Sequence, residues 1–191
     1  MLGRLGVSEA QAAAREEMAA LGASSPNPDI RRFAYSVLGG LANGEKKWEE
    51  AAALWRKGLE VAPDDVELNN NLAFVLGWSL GKAAEALPYA EKAAARAPAN
   101  GAILDTLGTL YLNLKQYEKA EFALLRALTT SRKADIPAIR LHVGQLRVAQ
   151  GKRSDAERYL RLVEDAATLD PHLREEFGKE LDDLRRKVEA M

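Results

Sequence analysis

The sequence predicts an all-α protein made of stacked helical hairpins, and three observations carry that expectation. A small pair recurs as Leu38-Gly39, Leu72-Ala73, Leu107-Gly108 and Val143-Gly144, at spacings of 34, 35 and 36 residues. A downstream small residue recurs as Ala51, Ala86, Ala120 and Ala156, at spacings of 35, 34 and 36. Between these marks, large apolar residues return at helical rather than strand spacing. Self-similarity at this period is the sign of helix–turn–helix units that bury their apolar faces on one another. The clearest copy is Ile103–Leu128, where Gly108, Ala120 and Ala127 stand among Leu107, Tyr111, Tyr117 and Leu124. Small residues at fixed offsets among large ones let two helix backbones cross closely.

The elements follow in order. Ser8 with Gln11 reads as a capping box, opening a helix near Glu9–Leu21 with Val7, Gln11/Ala14, Met18 and Leu21 on one side. Gly22 is expected to end it, and Gly22–Asp29 to be a loop. This helix is either an N-terminal cap or the second helix of a degenerate repeat. Asp29 is the expected cap of the next helix, Ile30–Leu41, paired with Lys47–Val61 through Trp48 and Trp55. Pro63 stops that hairpin, and Asp65 opens Val66–Ser79, followed by Ala84–Arg96. Pro88 is tolerable there only in a first turn. The third hairpin is Ala102–Leu114 with Tyr117–Thr130. The fourth is Pro137–Gln150 with Asp155–Thr168, the latter opened by a second capping box, Ser154 and Glu157.

Two insertions interrupt the period. Leu72 to Ala86 takes 14 steps where the other copies take 13, which places an extra residue near Ser79–Ala84. Ala127 to Val143 takes 16 where earlier junctions take 14, which places two more near Thr129–Pro137. Both are expected between helices, where added length costs little.

Asp170 as cap and Pro171 at the first helical position open a last helix. Leu173, Phe177, Leu181, Leu184 and Val188 form one apolar stripe on it, with a charged back. It reads as a cap that closes the naked side of the last hairpin. A coiled-coil dimerisation helix would need a longer run of heptads.

With the pairs Leu38-Gly39 to Val143-Gly144, the alanines Ala51 to Ala156, and Pro63 and Pro98 ending two units, the chain resembles the tetratricopeptide repeat family. Arg132 and Thr168 replace the closing proline in the later copies, and Arg140, Arg147 and Arg153 stand where the family prefers aromatics. The resemblance covers about residues 32–170. It implies a right-handed α-α superhelix forming a single domain over 1–191. Residues 1–28 are then an N-terminal helix and loop, 32–65, 66–100, 101–136 and 137–170 the repeats, and 171–191 the C-terminal capping helix.

Composition narrows the function classes. The chain has 191 residues, 47% hydrophobic and 29% charged, with a net charge of −1. That balance gives no electrostatic case for nucleic acid, and no apolar run approaches a membrane span. It reads as a soluble chain of the cytoplasm, or of the periplasm if these residues are part of a longer protein. Zero cysteines exclude thiolate chemistry and Cys-ligated metals. His142 and His172, the two histidines, lack a metal-binding or catalytic partner pattern and read as ordinary surface or packing residues. Gly39-Gly40 reads as close helix packing rather than a phosphate loop. No catalytic, cofactor-binding or metal-ligating residue is expected; the chain does not read as an enzyme.

Binding remains. In the resembled family the first helix of each repeat lines a concave groove. Carried onto this sequence, that groove would hold Phe33, Ser36, Val37, Gly40 and Asn43 in the first repeat and Glu67, Asn70, Asn71, Phe74 and Trp78 in the second. The third would add Ala102, Asp105, Thr106, Thr109, Leu112 and Asn113; the fourth, Leu141, His142, Gln145 and Val148. Asn70 and Asn71 can each donate and accept hydrogen bonds to an extended peptide backbone. Only Asn71 matches the family's asparagine ladder, since Val37, Thr106 and His142 replace it elsewhere. Phe74 and Trp78, one turn apart, are expected to form an apolar pocket in the room left by Gly40 and Gly44, the kind of anchor that dominates interfaces. The plainer reading is that Trp78 covers the lengthened turn. Ser36, Gly40, Ala102 and Thr106 stand where some family members carry a carboxylate clamp, so that function is not expected. The expected role is a protein–protein interaction scaffold or adaptor for a peptide or partner helix. The expected binding residues are Asn70, Asn71, Phe74, Trp78, Asp105, Thr109, Asn113, His142 and Gln145. The alternatives are a self-assembling structural module, which would be a homo-oligomer, or an accessory region of a larger enzyme or secretion system.

Overall fold

The computed structural model describes the backbone of residues 7–191 and the side chains of 12–175 and 177–191. Among them are ten α-helices and no strand. The chain divides into two compact units, one ending at Arg96 and the other running from Ala97 to Met191.

In the first unit, α1 (Val7–Ser24) packs on α2 (Pro28–Gly44), which pairs with α3 (Trp48–Val61). Next, α4 (Val66–Phe74) runs on into a π-helical turn (Val75–Ser79) and pairs with α5 (Ala83–Arg96). The second unit pairs α6 (Gly101–Asn113) with α7 (Tyr117–Thr130). After a 3-10 turn (Lys133–Asp135), α8 (Ile136–Ala149) pairs with α9 (Arg153–Leu169), and α10 (Pro171–Glu189) packs on both.

The small residues sit at the crossings. A Cβ added to Gly39 would collide with the Trp55 indole, and one on Gly108 would lie 2.6 Å from Leu124 Cγ. One on Gly144 would lie 2.8 Å from Leu184 Cδ2. Ala51, Ala86, Ala120 and Ala156 are all fully buried. Interiors packed this densely leave no slack for an extra methyl group.

Side chains cap α2, α4, α6 and α10, whereas α8 has no side-chain cap. Asn27, not Asp29, caps α2: its Oδ1 accepts from the Asp29 N–H at 2.9 Å, and Pro28 takes the first helical position. The helix therefore starts earlier than expected, because the fixed φ of Pro28 suits that position. Asp65 caps α4 as expected, accepting from the Leu68 N–H at 2.8 Å, and Asp170 caps α10 through the His172 N–H at 3.1 Å. Asn100 accepts from Ala102 and Ile103 to cap α6. Helices α3, α7 and α9 have no side-chain cap. Instead the N–H groups of Lys47, Gln116 and Lys152 donate back to Ala42, Tyr111 and Arg147 of the preceding helix, at 2.8–2.9 Å. The Ser154–Glu157 capping box therefore does not form: Lys152 is the cap residue, Ser154 lies inside the helix, and Glu157 pairs with Arg153 at 2.9 Å.

Other expectations change for local reasons. Gly22 does not end α1, which runs on to Ser24. Its missing side chain accommodates Tyr35, whose Cε1 would lie 3.1 Å from an added Cβ. The Ser8–Gln11 capping box falls outside the described side chains. The extra residue of the second hairpin is not confined to the connection. The π-helical turn takes it up, with the Leu80 N–H donating five residues back to Val75 at 3.0 Å. The two added residues near Thr129–Pro137 do lie between helices, in the 3-10 turn.

The stripe of α10 is buried in its own chain. Leu181 and Leu184 are fully enclosed and share a cluster with Leu141, Leu160, Val163, Phe177 and Val188. Non-helical backbone at Phe177 (φ −136°, ψ 27°) bends this helix without removing Phe177 from the core.

Pro88 is the sixth residue of α5, in its second turn and not its first. It removes an N–H that the Ala84 carbonyl would otherwise receive. Replacing it there should therefore stabilise the first unit. We expect Pro88→Ala to raise unfolding free energy by about 1–3 kcal/mol in chemical denaturation; an unchanged or lowered value would show that the helix is adapted to the proline.

Candidate functional site

The solvent side of α4 is set by what the other side buries. Leu68, Asn69, Leu72 and Ala73 are buried, with the Asn69 amide donating to the Pro63 and Asp65 carbonyls. Residues 67, 70, 71 and 74, at helical spacing, are left on the opposite face. Glu67 is exposed there, while Asn70 and Asn71 are half-buried. Asn70 Oδ1 is enclosed with no hydrogen-bond donor against it. Phe74 and Trp78 are 43% and 44% exposed, and their rings stack with centroids 6.3 Å apart and planes 8° from parallel.

The expected pocket beside Gly40 and Gly44 is not formed. No atom lies within 4 Å of a Cβ built on either glycine, so the rings do not enter the room these residues leave. They lie against each other instead, as offset parallel aromatics favour. Gly40 is likewise no packing glycine, unlike Gly39. On α2, Phe33 is 53% exposed, Ser36 and Val37 are half-buried, and Asn43 Oδ1 is enclosed without a partner.

In the second unit, two expected residues meet across helices. His142 on α8 is buried, and its Nδ1–H donates to Asp105 Oδ1 on α6 at 2.7 Å. Of the two expected alternatives, surface or packing residue, it is the packing one. Thr109 is buried, and its hydroxyl donates to the Thr106 carbonyl of its own helix at 2.9 Å. Asn113 is exposed and Gln145 half-buried. No group of three or more His, Cys, Asp or Glu side chains among the described residues is arranged to hold a metal.

A polar network escaped the sequence reading. Arg147, buried to 7% exposure, donates from Nη1 to Glu121 Oε1 at 2.8 Å and to Gln150 Oε1 at 2.7 Å. The Gln150 amide closes the ring by donating to Glu121 Oε2 at 2.8 Å. The available signal was positional: Arg147 stands four residues after Val143, as the buried Tyr111 stands four after Leu107. A cation in such a slot needs an acid facing it. The Gln150 amide and the Arg147 guanidinium hold the Glu121 carboxyl below its ordinary range, against the opposing pull of burial.

Hairpins closed by small residues, repeated in both units, define a helical-repeat protein. The family model described as tetratricopeptide repeat matches residues 78–138, and the recurring hairpins of the fold agree with that match. No curated protein matches it. Among solved structures it is similar to a tetratricopeptide repeat protein from Parabacteroides merdae, with TM-score 0.72 and 20% identity, covering 94% of this chain and 70% of that one. It is also similar to MamA, residue 41 to its end, from Desulfovibrio magneticus RS-1, with TM-score 0.70 and 19% identity over 83% of this chain and 86% of that one. The pilF protein of Pseudomonas aeruginosa gives TM-score 0.65 and 23% identity over 85% and 74%. At these identities the likeness is one of fold. No helix among the described residues is long and apolar enough to cross a membrane.

Because the Glu121 carboxyl is depressed in the folded state, its contribution is complete above the usual carboxylate range and fades as pH falls through the folded value. Glu121→Gln should therefore cost about 1–2 kcal/mol at pH 7 and progressively less toward pH ~3. Urea titrations at the two pH values check this; an equal penalty at both would remove the charge from the account.

Proposed function

We propose that this chain is a protein–protein interaction scaffold that holds an extended peptide or a partner helix against the outward faces of its first helices. Tetratricopeptide-repeat proteins in general mediate protein–protein interaction, and their fold is typically a non-catalytic scaffold. The observation that carries the reading is the stacked pair Phe74 and Trp78, left more than two-fifths exposed on a helix that buries its other face. Exposed aromatics of this size are costly to leave in water and are favoured anchors when a partner covers them. Enclosing each ring would contribute roughly 1.5–3 kcal/mol. Asn70 and Asn71 beside them supply donors and acceptors for a peptide backbone. Asp105, Thr109, Asn113, His142 and Gln145 are the corresponding positions of the second unit. The Asp105–His142 pair fixes two of them, and Thr109 keeps its hydroxyl on its own helix.

The test compares wild type with the Phe74→Ala/Asn71→Ala variant in affinity capture from native lysate. Both positions are at least partly exposed, so helix content should be unchanged while the captured partner is lost. Equal capture by both proteins would place the interface elsewhere.

A further inference from the structure

The outward face of α7 departs from those of the other second helices. Two and five residues after the buried alanine, α3 carries Ala53 and Arg56, α5 carries Pro88 and Glu91, and α9 carries Arg158 and Arg161. On α7 the same positions are Phe122 and Leu125. Phe122 is 65% exposed, more than any other phenylalanine or tryptophan among the described residues, and Leu125 is exposed beside it. Ala53, Pro88 and Arg158 are exposed at the equivalent place, so closing a hairpin does not call for an aromatic there. The other charges of α7 are already engaged. Lys119 is turned over the Tyr111 ring, 5.2 Å from its centre, and Glu121 is taken by Arg147 and Gln150. Arg126 lies over Phe122 at 5.4 Å and donates from Nη2 to the Pro98 carbonyl at 2.6 Å; a guanidinium carries further donors. Glu118 is exposed and makes no ion pair among the described residues.

We propose that this face of α7 is the contact between two copies of the chain, packed antiparallel about a two-fold axis at Phe122. Glu118, Phe122 and Arg126 stand one turn apart on one side of the helix. Within a single helix, Glu118 and Arg126 are separated by about 12 Å of rise and cannot pair. Reversing a second copy against the first sets each Glu118 opposite the other copy's Arg126, with the two Phe122 rings between them and Leu125 at their flanks. An isologous contact requires this self-complementarity. The charge order selects the occupant, because a parallel copy would set Glu118 beside Glu118. One helix face per copy is smaller than the roughly 1,200 Å² at which standard interfaces begin, so the dimer is weak and reversible. It pairs through a second helix and presents the faces of the first helices twice, which favours a partner with repeated binding segments.

Sedimentation equilibrium of the full chain, carried up to about 1 mM protein, should show the mass rising reversibly from one copy toward two. Glu118→Arg leaves two cations on the face and Arg126→Glu leaves two anions, so each variant alone should self-associate at least about tenfold more weakly. Mixed in equal amounts, the two variants should recover dimers, because both pairings across the contact are again between opposite charges. Phe122→Ala, at an exposed position, should keep helix content and melting temperature while weakening the dimer about tenfold. Should Arg126→Glu lose its fold along with the Pro98 contact, Glu118→Arg and Phe122→Ala decide the point. A wild-type chain that stays monomeric at the highest concentration would overturn the proposal. A dimer that persists in Glu118→Arg and Phe122→Ala would overturn it too, by placing the contact elsewhere. So would a mixture of the two charge reversals that remains monomeric although both are folded.

Discussion

Everything in this fold depends on how closely the two helices of a hairpin approach. At Gly39 and Gly108 an added carbon would run into the opposing helix of the hairpin, and at Gly144 into Leu184 of α10; the alanines Ala51, Ala120 and Ala156 are wholly enclosed. With the backbones that near, Trp55 and Leu124 lie directly over the opposing helix and fill the crossing. The same proximity explains how the second helices begin. Lys47, Gln116 and Lys152 reach the carbonyls of the preceding helix with their own N–H groups, so no side-chain cap is needed.

Because burial on one side is so completely determined, the other side of each first helix is free to vary, and it varies sharply. The first hairpin presents Phe33 and two glycines against which nothing packs; the second presents stacked aromatics over an enclosed amide oxygen. The third and fourth meet through a carboxylate–imidazole hydrogen bond. The ring of Arg147, Glu121 and Gln150 gives the Nη1 of a buried guanidinium two acceptors, while its Nε is enclosed without a hydrogen-bond partner. Polar groups enclosed this way are costly if any member is removed, so the fourth hairpin is held by chemistry different from that of the third.

Much of this was legible in the sequence, because the crossings require small residues and small residues recur with a countable period. The caps at Asp65 and Asp170 and the stripe of α10 were legible for the same reason, since each is a local rule. What escaped required two helices to be placed against each other. Gly22 looks like a terminator until Tyr35 is seen opposite it, and Ser154–Glu157 looks like a capping box until the backbone of the preceding helix takes its place. Gly40 looks like its neighbour Gly39, and only the packing shows that one faces an indole and the other open space. Asp105 and His142 are 37 residues apart, and Glu121 and Arg147 are 26; no local pattern links them. The placement of Asn70, Asn71, Phe74 and Trp78 along one helix was readable from periodicity, but the stacking of the rings depended on a π-helical turn that counting had assigned to a loop.

The most direct test of close approach as the governing constraint is a pair of equivalent substitutions with opposite expected signs, measured by chemical denaturation. Gly108→Ala places a methyl group against Leu124 and should destabilise the protein by about 1–3 kcal/mol. Gly40→Ala adds the same methyl to a helix where nothing lies within 4 Å and should stabilise it by up to about 1 kcal/mol through helix propensity alone. Opposite signs would support the account. Two substitutions of the same sign and similar size would contradict it, since the crossings would then not be what the small residues are for.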